Sequence, residues 1–269
     1  MINHQEWIPS TKRKQYPNKN VFYNTELSDL SMKIYRYINI DYLDELLHDK
    51  KLFTNNRLNS KDVFEHENYA NHGRKNATMK FIATAPMTIQ KPQDLHKLSK
   101  AEKEDYHICI SSWADESQLN TKSDENIFSW GYYSKDLPQG HYLCRIETTI
   151  EDFINSISAN QPNIWIGRAD YHIGSSKWFL NNRMFGRPQG YEIENEIRMC
   201  IQKTIDTNDY LEVNPETLIH NIRISPYMPH EDAKILRQDL YTKSSIKGND
   251  SKYSFLSSKV NFSTIRLIY

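Results

Sequence analysis

Apolar and polar positions alternate with a period that changes several times along the chain, and each change marks an element. Lys33-Ile34-Tyr35-Arg36-Tyr37-Ile38 is an aromatic and β-branched run that predicts a strand. Asp41 can cap a helix after it, because Tyr42, Leu43, Leu46 and Leu47 then fall on one face. Lys51-Leu52-Phe53-Thr54 predicts a short strand running into a long loop. Residues 66–105 are polar with a helical pattern broken at Pro86 and Pro92, which predicts two short helices forming a lid or insertion. A strand over 106–112, an aromatic helix around 125–134 and a strand over 141–147 come next. Thr149 is placed to cap a helix over 150–158, whose Ile150, Phe153, Ile154 and Ile157 share a face. Further strands are expected at 163–171, 191–201, 220–225 and 260–268, and a last helix at 230–243 around Ala233, Ile235, Leu236 and Leu240. Residues 1–30 are polar, with Lys12-Arg13-Lys14 as a basic cluster, and are expected to form an N-terminal arm.

Short strands interrupted by helices, without regular βαβ alternation, point to an α+β protein. The expected architecture is a single domain over 31–269, with a mixed or antiparallel sheet, peripheral helices and the helical insertion around 66–105. Composition agrees: of 269 residues, 38% are hydrophobic and 25% charged, enough to bury a core. The formal net charge is zero, which excludes attachment to nucleic acid by bulk charge and leaves only a local basic groove. Cys109, Cys144 and Cys200 stand far apart in apolar, strand-like surroundings, as reduced core thiols do. No closely spaced Cys or His pairs suggest a zinc site, and no metal is expected. No apolar run approaches the roughly 20 residues of a membrane span, and the first residues do not read as a signal peptide. A cytoplasmic protein without membrane partners is therefore expected.

On the strand expected at 191–201, alternation puts Glu194, Glu196 and Arg198 on one face and Ile193, Ile197, Met199 and Ile201 on the other. Carboxylates at i and i+2 lie roughly 7 Å apart, close enough for one pKa to rise. Two readings stay open: the solvated side of a half-exposed sheet, or a site for acid–base chemistry. Arg36 in its apolar strand is either an edge arginine with its head in water or a guanidinium held for a phosphate or carboxylate. Phe128-Ser129-Trp130-Gly131-Tyr132-Tyr133 either packs a short helix or lines a pocket for a flat ring. Ser111 and Ser112, ending a strand, either orient a ligand hydroxyl or cap the next segment. Phosphate-binding glycine loops, a nucleophile elbow and His-Glu-x-x-His are all absent. Asp62, Glu65, Glu194 and Glu196 could gather around Mg²⁺ if the loop folds over the sheet, giving a metal-dependent nuclease.

Taken in order, these segments resemble a bacterial family known only as domain of unknown function 2971. The resemblance rests on Ile34-Tyr35-Arg36-Tyr37, Leu43 to Leu47, Lys51-Leu52-Phe53, the Ser129-Trp130-Gly131-Tyr132-Tyr133 segment through Gly140, and Tyr191-Glu192-Ile193-Glu194-Asn195-Glu196-Ile197-Arg198. Leu58-Asn59-Ser60-Lys61-Asp62-Val63-Phe64-Glu65 is similar to that family's Phe-Asn-Asp-Pro-Phe-Glu loop, with two extra residues and no proline. More distantly, the order of an Arg strand, a Ser-ended strand with an aromatic helix after it, and Glu-x-Glu resembles the ADP-ribosyltransferases. That resemblance implies an enzyme cleaving the nicotinamide–ribose bond of NAD for transfer to a nucleic-acid or protein acceptor, as toxins and phage-defence effectors do. It implies that Glu196 bonds the ribose 2′-hydroxyl, Glu194 positions or deprotonates the acceptor, Arg36 holds a phosphate or the adjoining ribose, Ser111 or Ser112 orients the ligand, and Trp130, Tyr132 or Tyr133 stacks on a ring. Such a site requires Arg36, one of the serines and Glu196 to meet in one cleft. The alternative is a nucleotide or nucleic-acid binding module without catalysis.

Overall fold

The computed structural model describes Ile8, residues 10–56, 108–116, 125–135, 137–159, 161, 163–171, 185, 192, 194–202, 210–245, 254–256 and 258–265. The expected insertion at 66–105 and the loop at 58–65 lie outside them. The described residues form an α+β fold. Its strands are β1 (Arg13–Gln15), β2 (Val21–Asn24), β3 (Lys33–Asn39), β4 (Lys51–Phe53), β5 (Asn55–Asn56), β6 (Ile108–Ala114), β7 (Leu143–Thr149), β8 (Ile164–Arg168), β9 (Glu196–Gln202), β10 (Tyr210–Glu212), β11 (Asn221–Ile224) and β12 (Val260–Phe262). Its helices are α1 (Ile40–Asp49), α2 (Ile127–Ser134), α3 (Ile150–Ser156), α4 (Pro215–Leu218) and α5 (His230–Ser245).

The main sheet runs β1-β2-β8-β9-β6-β3-β7-β11-β12, with β5 paired to β6 beside this path; β4 and β10 form a separate ribbon. Most neighbours are antiparallel, while β2–β8 and β11–β12 are parallel, so the sheet is mixed. Pleat alternation divides the chemistry of the two faces. Ile34 and Ile38 of β3, Cys144 and Ile146 of β7, Ile197, Met199 and Ile201 of β9, and Ile222 and Ile224 of β11 enter the main core. There they meet Leu43, Leu46 and Leu47 of α1 and Phe153 and Ile154 of α3. A smaller apolar cluster of Ile8, Trp165, Phe185 and Cys200 packs elsewhere.

The helix starts follow side-chain capping. Thr149 Oγ1 accepts from the Asp152 N–H at 3.0 Å, as the sequence predicts. For α1 the cap is Asn39, two residues before the expected Asp41; its side chain accepts from the Asp41 N–H at 3.2 Å. Asn39 has the extended backbone that a cap requires, whereas Asp41 already lies in the first turn.

The polar segment 1–30 departs most from expectation, since part of it joins the sheet instead of lying over it as an arm. β1 pairs with β2, and β2 pairs in parallel with β8. Phe22 stacks on Trp165 with centroids 4.6 Å apart, and the Arg13 guanidinium lies 5.6 Å from both rings. The basic cluster is thus partly absorbed by cation–π packing at a sheet edge. Lys19 also reaches α3, its Nζ donating to the carbonyls of Ile154, Asn155 and Ile157 at 2.7, 3.0 and 2.8 Å. A cation here satisfies the unpaired carbonyls at a helix end and suits the negative end of its dipole. Lys19→Met is expected to lower unfolding free energy by about 1–3 kcal/mol. Urea denaturation measures this, and a variant as stable as the wild type would show that the three bonds contribute nothing net.

Candidate functional site at a fork in the sheet

β3 and β6 share one registered pair, Tyr35 with Ala114. Beyond it the strands part, and β5 meets β6 at Ile110 and Cys109. Arg36 crosses the resulting wedge. Its Nη1 donates to Ser111 Oγ, its Nη2 donates to the Phe53 carbonyl at 2.6 Å, and its guanidinium carbon lies 5.8 Å from the Trp113 ring centroid. Trp113 Nε1 donates to the same Ser111 oxygen at 3.0 Å. Arg36 is only 9% exposed. Burial pulls its pKa down to about 10, and the Tyr133 phenol opposes that fall, so the guanidinium stays charged at neutral pH. Among the described residues its partners are a hydroxyl, a carbonyl and a ring, none of them anionic. A guanidinium has five N–H donors, and two of them are engaged here.

The opposite face is organised differently. Tyr35, Ala114 and Glu196 lie in one row of partners, as do Ser112 and Arg198, and Tyr37, Arg145 and Arg223. Three of the described arginines here meet carboxylates. Arg145 Nη1 meets Glu116 Oε2 at 2.5 Å, Arg198 Nε meets Glu196 Oε2 at 3.1 Å, and Arg223 Nη1 meets Glu125 Oε1 at 2.6 Å. On the core face, at the end of β8, Arg168 reaches Asp115 at 2.7 Å. Tyr37 donates its hydroxyl to Glu116 Oε1 at 2.5 Å. The Tyr37 ring stacks on Tyr133 at 5.1 Å and meets Trp130 edge-on at 4.8 Å. Burial raises the Tyr37 pKa, reinforced by the Glu116 charge, so the phenol keeps its proton. Burial likewise raises the Glu116 pKa against the pull of Arg145.

The structure separates the residues that the sequence would gather. Arg36 and Ser111 touch, whereas Tyr133 stacks on Tyr37 on the opposite face. Glu196 belongs to the row of Tyr35, so it points to the opposite side of the sheet from Arg36, with Ser112 and Arg198. The expectation that Arg36 faces Glu196, Glu194 and Arg198 across one cleft is therefore corrected. The expected strand over 191–201 is also shorter, starting at Glu196. Asn195 has φ of 40° and interrupts strand alternation before Glu194. This kink is held by the Asn195 side chain, which donates to the Asp115 carbonyl at 2.8 Å. The face is not solvated either: Glu196 is 2% and Arg198 1% exposed. Trp130 has no exposed surface and donates Nε1 to Glu125 at 3.2 Å, anchoring α2.

Glu116, Glu125, Arg145 and Arg223 were not singled out from sequence. Arg145 sits inside the apolar Leu143-Cys144-Arg145-Ile146 run, the same signal that marks Arg36. Among the described residues no group of three His, Cys, Asp or Glu could hold a metal ion. Asp62 and Glu65 lie outside them.

These features define a mixed-sheet α+β protein with a buried guanidinium at a fork between strands. No protein-family model matches the chain, and no curated protein matches it. Among solved structures it is similar to DarT from Thermus sp. 2.9 in complex with ADP-ribosylated ssDNA, at 10% identity and a TM-score of 0.35. The match covers 86% of this chain and 91% of that one. A likeness so distant transfers neither residues nor activity. No helix among the described residues is long and apolar enough to cross a membrane.

Glu125 is bonded by several donors. Besides Arg223 and Trp130, it accepts from Ser263 Oγ at 2.5 Å, the Thr264 N–H at 2.7 Å and Thr264 Oγ1 at 2.9 Å. Burial alone would raise its pKa, but the Ser263 and Thr264 hydrogen bonds and the Arg145 charge outweigh burial and lower it. A carboxyl with a folded pKa below its unfolded value contributes fully above the unfolded value, and the contribution fades as pH falls through the folded one. Glu125→Gln is therefore expected to flatten the loss of stability with acid below the ordinary carboxylate range. Urea titrations at stepped pH test this; parallel acid limbs for variant and wild type would count against it.

Proposed function

We propose that the chain is an ADP-ribosyltransferase-like, nucleotide-binding protein in which Arg36 holds a phosphate of NAD at the fork. The observation supporting this is the buried, charged Arg36 guanidinium, whose partners among the described residues are neutral. Burying a cation away from water is unfavourable unless an anion or sufficient hydrogen bonds compensate. A phosphate oxygen can accept from the donors that Ser111 and Phe53 leave over, through short charge-assisted bonds.

In the transferase reaction, the bond between ribose C1′ and the nicotinamide nitrogen breaks, nicotinamide leaves with the bonding pair, and an acceptor atom bonds to C1′. The proton of the acceptor passes to a carboxylate, and a second carboxylate stabilises the oxocarbenium-like transition state. Glu196 and Glu194 are the carboxylates assigned these roles, with a nucleic acid or a protein as acceptor. Glu196 points away from Arg36, so the two do not meet in the one cleft that a transferase site requires. That separation favours a second reading, a nucleotide-binding module without catalysis, which needs Arg36 alone.

Calorimetric titration with NAD and an assay of nicotinamide release distinguish these readings. Arg36→Met is expected to weaken NAD binding at least about tenfold, the loss of one or two charge-assisted hydrogen bonds. Glu196→Gln is expected to bind NAD normally and release no nicotinamide. An Arg36→Met protein that folds and binds NAD like the wild type would sink the site itself. Wild-type protein that binds NAD yet releases no nicotinamide with nucleic-acid or protein acceptors leaves the binding module.

A further inference from the structure

Ser111 Oγ receives two donors at once, Arg36 Nη1 and, at 3.0 Å, Trp113 Nε1. Neither of those groups can accept, because guanidinium and indole nitrogens only donate. A serine oxygen carries two lone pairs and one hydrogen, so both lone pairs are taken and the hydrogen is left to donate. Among the described residues no acceptor meets that hydrogen, although Ser111 has no exposed surface. A buried donor without an acceptor costs free energy. All three side chains belong to the core face of the sheet: Ser111 and Trp113 pair with Met199 and Ile197, and Arg36 pairs with Ile146. Trp113 is itself fixed, 1% exposed and edge-on to Phe153 of α3 at 5.6 Å.

We propose that Trp113 is a positioning residue of the Arg36 site and acts through Ser111. By filling the second lone pair of Oγ, the indole N–H makes the Ser111 hydroxyl a donor. The wedge then offers an anion that O–H beside the guanidinium donors that Ser111 and Phe53 leave over. This deepens, and rests on, the reading of Arg36 as the phosphate-holding group. The ligand it fits is an ionised phosphate, which accepts from a cation and from a hydroxyl through short charge-assisted bonds. Oγ lies one hydrogen bond from Nη1, so a single phosphate group spans both donors. A serine that merely propped Arg36 would compete with the anion for a guanidinium N–H, and its loss would free that donor. The two roles therefore predict opposite changes in affinity.

Calorimetric titration of the full chain with inorganic pyrophosphate decides between them. Ser111→Ala is expected to weaken binding about tenfold, the loss of one hydrogen bond to a charged group. Unchanged or tighter binding would overturn the proposal. Trp113→Phe keeps a ring in the core and removes only the N–H donor, and is expected to weaken binding about threefold. In the Ser111→Ala background the same change is expected to cost less than about twofold, because its effect passes through the hydroxyl. Equal losses in both backgrounds would assign the effect to packing and remove Trp113 from the site. A second measurement needs no change at Trp113: its indole N–H resonance is expected to move downfield when the wild type is saturated with pyrophosphate, as the shared oxygen polarises. No movement, or the same movement in Ser111→Ala, counts against the coupling. Arg36→Met that binds pyrophosphate like the wild type fails the phosphate reading itself. If it loses binding while Ser111→Ala retains it, that reading stands and only the Ser111–Trp113 pair falls. Wild-type protein that does not bind pyrophosphate removes both.

Discussion

The guanidinium of Arg36 occupies the place where two central strands stop pairing, and both halves of the sheet meet at it. From β3 it bonds Ser111 on β6 and the Phe53 carbonyl that ends β4. Its bonds therefore replace backbone pairing that the diverging strands do not make there. A buried cation is an expensive material for such a bridge. A methionine or leucine would fill similar space without desolvating a charge, and neutral isosteres often equal or exceed buried ionic groups in stability. The charge therefore calls for a reason other than packing, and an anion with access to the unused donors is one.

The opposite face resolves the same electrostatic problem by pairing. Arg145, Arg198 and Arg223 are each matched by a glutamate, and Glu125 and Glu116 are each shared among several donors. Such a layer adds modestly to stability, because desolvation offsets much of the attraction, but removing one partner leaves a buried charge exposed to the full penalty. Its geometric effect is larger. Glu125 joins the start of α2 to β11 and to the segment after β12, while Glu116 joins β7 to the Tyr37 ring. The aromatic helix is held over the sheet by polar bonds as well as by apolar contact.

Much of this framework was legible in the sequence. The period-two runs at 33–38 and 141–147 and the capped helices after them follow from local chemistry, and both strands and helices stand close to their expected places. β1 was missed because Arg13-Lys14-Gln15 is polar on both sides, and an edge strand needs neither alternation nor β-branched residues. The burial of Glu196 and Arg198 was missed for a different reason. Alternation along one strand shows which side chains share a face, but not whether that face meets water or other residues. The Asn195 kink was beyond reach as well, since its positive φ depends on a bond to the Asp115 carbonyl, some eighty residues away along the chain.

The separation of Arg36 from Glu196 shows where sequence pattern stops being sufficient. Both stand on strands whose alternation is plain, yet nothing in either strand fixes the phase of one against the other. One pair, Tyr35 with Ala114, together with the β6–β9 register, fixes that phase. A shift of one residue in either ladder would turn Glu196 toward Arg36, because register slips invert faces. In the observed phase the tyrosines of β3 share a face with the paired charges, and Arg36 is the member of that strand turned into the apolar core. The same phase excludes Arg36 from the carboxylate layer and puts Tyr37 within reach of Glu116. A cation with only neutral partners among the described residues and an immobilised ring beside it in sequence are thus two consequences of one register.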